Sequence, residues 1–530
     1  MSTHRTLVVC LAAALGACGP EASRPAIDHG ASRDALRPTD TGTAQMYRFE
    51  PTDTVEQYDT DAGFRVHFTR AGKNAVNAAD TNANGVPDFV ESVGSVYGQV
   101  KTKYVALGFR APLSDGALPN NGGDGRFDVY LLDFALTADG AFRPECQASS
   151  PEQCAGFVVQ ENDFAGYGYP NATAATRILG SHEFFHGVQD AYDNAQGVVL
   201  SEGTAVWATE QFDPSTNDLE DFADGYLSRT DRSLDSPPPG PVPSFAYGSG
   251  VFFQFLFEKY GAPLLPSLLA HLENGQGHPS EPADVANPYW VVQLDALLKA
   301  NHQSSFARAY LEFSIWNLYL GPYANPAKSY AGGARYPLPA MTAVAAPYQS
   351  LPLRVFYAST QYLRMPAAGR TVMTAALVDD PGSPEDDTAD LALVLASRRG
   401  GAVAEVKTLA DVKAGTELFD TSGNTELVVA VVNQARSGNG GVLSRRPGIC
   451  VGTEREVALC HASFDPAFDA GVGDAGVQVD AGAPPENDGG VPDGGSGPPT
   501  QPPGCGCTSM GTGAPALLLL LAAGLRRRRR

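Results

Sequence analysis

Residues 179–186 read Leu-Gly-Ser-His-Glu-Phe-Phe-His, and this stretch decides how the middle of the chain folds. The segment just before it, from Ala174 to Gly180, suits a helix that would carry both histidines. On a helix, positions i and i+4 lie on one face, so His182 and His186 point two imidazoles at one place. Glu183 directly follows the first of them. The spacing therefore predicts a two-histidine metal site on a single helix.

A third candidate ligand, Glu202, follows in Leu-Ser-Glu-Gly at residues 200–203. We expect the first helix to run through Asp193 and to end at a turn, with Gly197 just past the helix. Ser201 is then predicted to be the N-cap of a second helix, with Glu202 in its first turn. Two helices joined by a short turn can bring Glu202 back against the histidines.

Zinc prefers nitrogen ligands in a tetrahedral shell, and catalytic zinc sites use three protein ligands and keep one position open. The predicted zinc ligands are His182, His186 and Glu202, with Glu183 as a general base near the open position. The alternative is a pair of surface histidines beside a solvated glutamate. Asp190 and Glu210 are predicted to orient the ligands by hydrogen bonding, or else to be solvated helix charges.

The motif resembles the gluzincin metallopeptidases, which combine H-E-x-x-H with a downstream glutamate, and the resemblance covers residues 157–261. It implies the same three zinc ligands and the same base. Tyr-Gly-Ser-Gly-Val at residues 247–251 resembles a stretch of the zinc aminopeptidases, which implies that Tyr247 stabilises the tetrahedral intermediate. The glutamate is closer to the histidines than in well-known members, and a Gly-x-Met-Glu-Asn exopeptidase motif is missing.

A second motif, Asp-Thr-Asn-Ala-Asn-Gly-Val-Pro-Asp-Phe-Val-Glu at residues 80–91, matches the spacing of an EF-hand-type calcium loop. An all-oxygen ligand set favours calcium over zinc. We expect a single structural calcium site followed by a helix at 87–104, or, as the alternative, a metal-free turn rich in Asp and Asn. The predicted calcium ligands are Asp80, Asn82, Asn84, Val86, Asp88 and Glu91.

Both ends of the chain resemble export signals. Residues 1–18 read as a secretory signal, and Gly-Ala-Cys at its end resembles a lipobox that would lipidate Cys18. Residues 504–530 combine two cysteines, a short apolar run and five arginines, which resembles the MYXO-CTERM sorting tail of myxobacteria. A plain signal peptide and a plain tail anchor are the alternatives. All these readings place the folded part outside the cytoplasm, at the cell surface or secreted, with the membrane contacted only through a lipid or a C-terminal anchor.

Cysteine usage and charge agree with this location. Cys146 with Cys154, and Cys450 with Cys460, form two local pairs that predict two short-loop disulfides. The formal net charge of −22 argues against nucleic acid and anionic membrane surfaces as partners.

The predicted fold class is α+β, with a zincin-like metallopeptidase domain followed by a small all-β, sandwich-like domain. Short apolar runs separated by Gly, Pro and Asp clusters indicate the second domain. The predicted boundaries are 1–18 signal, 19–45 polar tether, 46–348 metallopeptidase domain, 349–463 β-rich domain, 464–503 Gly/Pro/Asp-rich stalk and 504–530 sorting segment.

These features predict a zinc metalloendopeptidase that acts on protein or peptide substrates with a zinc-activated water and Glu183 as the general base. Residues 157–160 are expected to be an edge strand that pairs with an extended substrate. One alternative is a calcium-stabilised binding or adhesion module whose zinc site is silent. Another is a hydrolase for a non-protein amide.

Overall fold

We describe a computed structural model of the chain, which covers residues 36–40, 47–147, 150–194, 196–235, 243–273, 289–350, 352–367, 369–380, 386–436 and 444–464. The predicted signal, the sorting segment, residues 465–503 of the predicted stalk and most of the predicted tether lie outside these residues. Among the described residues, no helix combines the length and apolarity that crossing a bilayer requires.

The helices and strands alternate in the first part of the chain, become purely helical in the middle and are mostly strands at the end. In chain order they are β1 Glu56–Asp59, β2 Phe64–Phe68, α1 Asp88–Ala106, β3 Phe127–Leu132, β4 Gly140–Gln147, β5 Ser150–Glu161, α2 Ala172–Asp190, α3 Val198–Phe212, α4 Asp218–Leu227, α5 Pro243–Gly248, α6 Gly250–Tyr260, α7 Leu264–Leu272, α8 Trp290–His302, α9 Phe306–Trp316, β6 Thr342–Ala343, β7 Tyr348–Ser350, β8 Val355–Phe356, β9 Ser359–Pro366, β10 Val372–Val378, β11 Leu391–Arg399, β12 Ala402–Thr408, β13 Phe419–Asp420, β14 Glu426–Asn433, β15 Ser444–Arg445, β16 Gly448–Gly452 and α10 Glu454–Ser463. This succession is of the α+β class, as predicted.

The first sheet has the strand order β1-β2-β3-β5-β4. Strands β2, β3 and β5 run parallel, and the outer strands β1 and β4 are antiparallel to their neighbours. One face of the sheet packs against α1 and α2, because Val66, Val129 and Val158 point into the same core as Phe184. The histidine-bearing helix is therefore fixed on a rigid sheet.

The prediction of an edge strand at residues 157–160 was wrong. These residues belong to β5, which lies between β3 and β4, and β4 is the edge strand. The sequence concealed β4 because Arg143, Pro144 and Glu145 interrupt its apolar residues, and a strand with proline is tolerated at an edge.

The other face of the sheet is covered by the start of the described chain. Phe49 packs there with Tyr130 and Phe157, and Arg37 is fully buried. The sequence predicts residues 36–40 to be part of the polar tether, but they belong to the folded domain. A single arginine in a polar stretch gives no hydropathy signal, so its burial is visible only in the tertiary structure.

The last part of the described chain holds two facing sheets, β13-β10-β16-β7 and β12-β11-β14-β9-β6, with a shared apolar core that includes Leu377, Leu393 and Val429. The outer face of the second sheet packs on the helices: the Tyr362 hydroxyl donates to the Ser314 carbonyl oxygen at 2.7 Å. This sheet is consequently buried on both sides, which accounts for the near-continuous apolar runs of β11 and β14.

Both predicted disulfides are present, between Cys146 and Cys154 and between Cys450 and Cys460. The first joins β4 to β5, and the second ties α10 to β16. Disulfides are typical of proteins that fold outside the cytoplasm.

Candidate metal centre

Helix α2 carries both histidines of the candidate metal centre. It begins after Asn171, whose side chain accepts a hydrogen bond from the Ala174 amide at 2.9 Å, and it ends at Asp190 rather than at the predicted Asp193. Phe184 and Phe185 point into the aromatic core, so His182 and His186 must project from the other side of the helix. Packing on the apolar face thus orients the polar face.

Glu202 reaches the histidines from α3, but not in the way predicted. Helix α3 starts at Val198 with Gly197 as its N-cap, so Ser201 is inside the helix and Glu202 is in its second turn. The helix starts early because Val199 and Leu200 are buried in the core.

The glycine after Glu202 also has a role in placing α3. A Cβ atom on Gly203 would lie 2.3 Å from the Ser249 Oγ and 2.7 Å from the Phe253 ring. Residue 203 must therefore be a glycine for α3 to approach the α5–α6 segment this closely.

The three side chains form a buried group that could hold a metal ion, with their ligand atoms all within 4.8 Å of one another. Glu202 Oε2 lies 3.2 Å from His182 Nε2 and 3.5 Å from His186 Nε2. Nε2 of His186 is buried without a hydrogen-bond partner. Two imidazole nitrogens, one of them without a hydrogen bond, and a carboxylate in a buried site are what a metal cation requires, so these residues fit the predicted group.

The charged side chains of this group shift one another's pKa values. Burial, the largest single effect, would lower the pKa of His186, but the adjacent carboxylate of Glu202, the charge of Glu183 and the hydrogen bond to Gln189 together raise it to about 9. Burial would raise the pKa of Glu202, but the two histidines hold it well below its usual range. The carboxylate therefore stays ionised at every physiological pH.

The second nitrogen of His186 is oriented by a residue that the sequence reading missed. Nδ1 lies 2.8 Å from Oε1 of Gln189, whose amide group donates to the Ser201 carbonyl and to Thr204 Oγ1, both at 2.7 Å. The hydrogen bond predicted for Asp190 thus comes from Gln189, because position i+3 faces the imidazole. Asp190 lies close by, and burial raises its pKa to about 8 against the attraction of His186.

Glu210, the other predicted orienting residue, lies away from the metal group. It faces Glu220, and Arg335 contacts both carboxylates, at 3.5 Å and 2.8 Å respectively. Burial, and then the charge of Glu220, raise the pKa of Glu210 to about 8. The prediction of a role for Glu210 beside the ligands was wrong, because two helical turns carry it past the site.

Glu183 contacts the edge strand. Its Oε2 accepts a hydrogen bond of 2.7 Å from the backbone amide of Phe142 in β4. Among the described residues β4 pairs only with β5, so Glu183 lies at the free edge of the sheet. The carboxylate thus stands between the metal group and a strand edge on which another strand could pair.

Tyr247 lies beside the first histidine. It belongs to the short helix α5, directly before α6, and its ring centroid is 5.7 Å from that of His182 and 5.0 Å from that of Phe222. The structure thus brings Tyr247 to the group of His182, His186, Glu183 and Glu202.

Asp218 is a further acidic residue near the site that the sequence reading did not identify. Burial raises its pKa to about 7, and the attraction of His182 is the largest opposing effect. Its Oδ2 is buried without a hydrogen-bond partner. Nothing in the sequence around the first turn of α4 distinguishes it from a solvated helix-cap acid.

The predicted calcium loop folds around its own acidic side chains. Asp80 accepts from the amides of Asn84 and Gly85, at 3.2 Å and 2.8 Å, and Gly85 adopts a φ of 89°. The side-chain amides of Asn82 and Asn84 lie 2.9 Å and 2.7 Å from the two oxygens of Glu91.

The remaining predicted calcium ligands behave differently. Oδ1 of Asp88 accepts from the Thr81 amide at 2.9 Å, and the Val86 amide donates to Asn84 at 2.8 Å. The loop therefore brings Asp80, Asn82, Asn84 and Glu91 together, whereas Asp88 turns to Thr81.

No known protein-family model matches the chain, and the curated proteins include no match to it. The assignment of function consequently rests on the geometry of the site.

Proposed function

We propose that this protein is a secreted or surface-anchored zinc-dependent metalloendopeptidase. The observation that carries the proposal is the buried group of His182, His186 and Glu202, together with Glu183, which is held at the free edge of strand β4. A metal-ligand group beside an acid and an open strand edge is the arrangement needed to hydrolyse an extended peptide.

The donor set favours zinc among the common metals. Two neutral imidazoles and one carboxylate suit zinc, whereas calcium and magnesium prefer oxygen ligands alone. Bound zinc would supply Lewis-acid chemistry, polarising the scissile carbonyl and acidifying a water molecule.

The side chains around this group then have separate tasks. Glu183 would take a proton from the attacking water on its carboxylate and deliver it to the leaving amine. Its hydrogen bond to the Phe142 amide keeps the carboxylate in place while the proton moves. Tyr247, beside His182, is proposed to donate its hydroxyl hydrogen to the oxyanion of the transition state.

Strand β4 is the element proposed to bind substrate. An extended peptide would pair with the edge of β4 beside the Phe142 amide, which Glu183 occupies, and so bring its scissile bond next to Glu183. We assign substrate binding to residues 140–147 of β4 and not to residues 157–160 of β5. Among the described strands, β5 is paired on both sides, whereas β4 is paired on one side only.

The proposed location and the proposed calcium site are each supported by further features of the chain. Two disulfides support folding outside the cytoplasm, and the lipobox-like and sorting-tail resemblances support attachment to the cell surface or release. Calcium in the 80–91 loop is proposed to be structural, because that loop leads directly into α1, which packs on α2.

The deciding experiment measures zinc content and casein cleavage in wild type and in Glu183→Gln. The variant should bind zinc as wild type does but lose activity about 10²–10⁴-fold, because it keeps the ligands and loses proton transfer. The matched control is Glu210→Gln: this buried glutamate has a pKa of about 8, so glutamine resembles its protonated form and activity should persist.

Two outcomes would contradict the proposal. A zinc-loaded wild type without peptidase activity would favour the calcium-stabilised adhesion module or the hydrolase for a non-protein amide. Undiminished casein cleavage by zinc-loaded Glu183→Gln would remove Glu183 from the mechanism.

A further inference from the structure

The outer face of the first sheet, opposite α1 and α2, contains a fully enclosed arginine. Arg37 has no exposed surface, although it is the second residue of the described stretch Leu36–Asp40. A buried guanidinium is costly unless charged partners surround it, so its surroundings must be built for it.

Three carboxylates from separate parts of the chain surround this guanidinium. Asp115 and Glu145 each approach Nη2 at 2.5 Å, and Asp128 contacts Nη1. All three carboxyl groups are themselves almost completely buried. The contacts are of the charge-assisted kind, which are the strongest hydrogen bonds in proteins.

Neutral groups complete the enclosure and match the planar shape of a guanidinium. The Tyr130 hydroxyl lies 3.1 Å from Nη1, the Asn120 carbonyl accepts from Nε at 2.8 Å, and the Phe157 ring lies 5.0 Å below the charge. A flat face for stacking and acceptors around the rim suit a guanidinium better than an ammonium ion.

Three carboxyl groups share one guanidinium in this pocket, and His67 Nε2 lies 2.6 Å from Asp128 Oδ1. Burial raises the pKa of Asp115 to about 6 and that of Glu145 to about 8, although Arg37 lowers both. Oδ1 of Asp115 is buried without a hydrogen-bond partner. A buried carboxyl oxygen without a partner beside the guanidinium favours a bound cation in this cavity.

The arginine is delivered by a short turn that is itself fixed. Asp40 accepts from the Arg37 amide at 2.7 Å and from the Asn120 side chain at 2.8 Å, and the Pro38 carbonyl accepts from the Phe49 amide at 2.9 Å. The arginine and its pocket are far apart in sequence, so the contact resembles that of a ligand with a receptor.

We propose that Asp115, Asp128, Tyr130, Glu145 and Phe157 form a guanidinium-binding pocket, which Arg37 fills in cis and which accepts small guanidinium cations when that side chain is removed. Glu145 lies on β4, three residues from the Phe142 amide that holds Glu183. Occupancy of the pocket therefore fixes the edge strand of the candidate metal centre from its outer side.

The test is chemical rescue of full-length Arg37→Gly by methylguanidinium, with methylammonium as the salt control. At about 20 mM either salt is far below denaturing concentrations. The variant should melt at least about 5 °C below wild type. Methylguanidinium should restore most of this loss, methylammonium should not, and wild type should respond to neither.

Arg110→Gly is the matched control variant. Arg110 also pairs with a carboxylate, Glu273, and stacks on an aromatic ring, Tyr192, but its side chain is 47% exposed. Methylguanidinium should give no specific rescue there, since an open site competes poorly with water.

If Arg37→Gly is insoluble, it is refolded from urea with each salt. Recovery only with methylguanidinium supports the pocket, and equal or absent recovery with both salts overturns it. Equal effects of the two salts on melting also overturn it.

Hydrogen exchange measures whether an occupied pocket stabilises β4, and this measurement does not depend on peptidase activity. In Arg37→Gly the amides of residues 140–147 should exchange faster, and methylguanidinium should slow them again, while residues 391–399 of β11 stay unchanged. Unaltered exchange in β4 would show that the pocket does not fix that strand.

Discussion

At the scale of single residues, the candidate metal centre depends on how each histidine nitrogen is employed. His186 directs Nδ1 to Gln189, and its Nε2 faces Glu202 without forming a hydrogen bond. The hydrogen bond to one nitrogen fixes the tautomer and leaves the other nitrogen for a metal. Gln189 should therefore matter to metal affinity almost as much as a ligand does.

This arrangement predicts that metal uptake releases protons. In the metal-free protein His186 has a pKa of about 9, so it is protonated at neutral pH, whereas a metal binds only neutral imidazole. The apparent association constant for zinc should rise at least about tenfold per pH unit between pH 7 and 8.5. Chelator competition with pH-corrected chelator constants measures it.

The same pKa has a consequence for the stability of the metal-free protein, with a definite sign. Because the pKa of His186 is raised, its contribution to the free energy of unfolding is complete below pH 6.5 and is lost as the pH rises through about 9.

For the pH dependence of zinc affinity, the exposed His271 serves as the control, since His271→Ala should leave the slope of zinc affinity with pH unchanged. A flat slope in wild type would show that His186 is neutral before metal binds.

Tyr247 is the residue whose proposed role is most easily separated from packing. Tyr247→Phe removes one hydroxyl and keeps the ring that lies against His182 and Phe222. A hydroxyl that acts in the transition state predicts a lower kcat with KM, zinc content and melting temperature nearly unchanged. If kcat is also unchanged, Tyr247 is a packing residue.

At the scale of elements, the 80–91 loop is placed to stabilise α1, which in turn packs on α2. Without a cation, Asp80 is held by backbone amides and Glu91 by two asparagine side chains. A bound cation would replace these local contacts with ligand bonds that join both ends of the loop.

Calcium should therefore raise the melting temperature of the wild type. Binding to the folded state alone adds about 2.7 kcal/mol at a hundredfold excess over Kd. Asp80→Ala and Glu91→Gln should abolish the calcium effect and keep zinc stoichiometry, while exposed Asp61→Asn should retain both. Melting that is indifferent to calcium in the wild type would refute the loop assignment.

At the scale of the whole molecule, the helices and the β-rich part share one core. Tyr362, Val394 and Val428 from the second part pack in the same cluster as the helices. The predicted boundary at 348/349 therefore separates two chain segments that are not independent in packing. Removal of the β-rich part would expose a large apolar surface on α9 and its neighbours.

This packing predicts that both parts unfold together. All three tryptophans, Trp207, Trp290 and Trp316, lie in the helical part and report on it. Tyr362→Phe, which leaves the Ser314 carbonyl unsatisfied, should cost about 1–3 kcal/mol and lower the tryptophan-detected melting temperature. Tyr348→Phe, at a half-exposed ring, should not. An unshifted tryptophan transition in Tyr362→Phe would indicate separate unfolding of the two parts.

The local features could be predicted from the amino-acid sequence: the helix bearing His182 and His186, the glutamates next to it, both disulfides and the α+β class. Each depends on short-range spacing, on helical periodicity or on cysteines close in the chain, so no distant contact was needed. It also indicated that the last part of the chain is rich in strands, because buried strands keep continuous apolar runs.

Only the tertiary structure decided which side chains meet across the chain. Gln189 rather than Asp190 orients His186, β4 rather than β5 forms the edge, and Arg37 is enclosed by acids about 80 to 110 residues away. Polar residues carry no hydropathy signal for burial, and strand order depends on pairing energies summed over the whole sheet. For that reason the chemistry of the site could be anticipated from its motif, but the contacts that hold it in place could not.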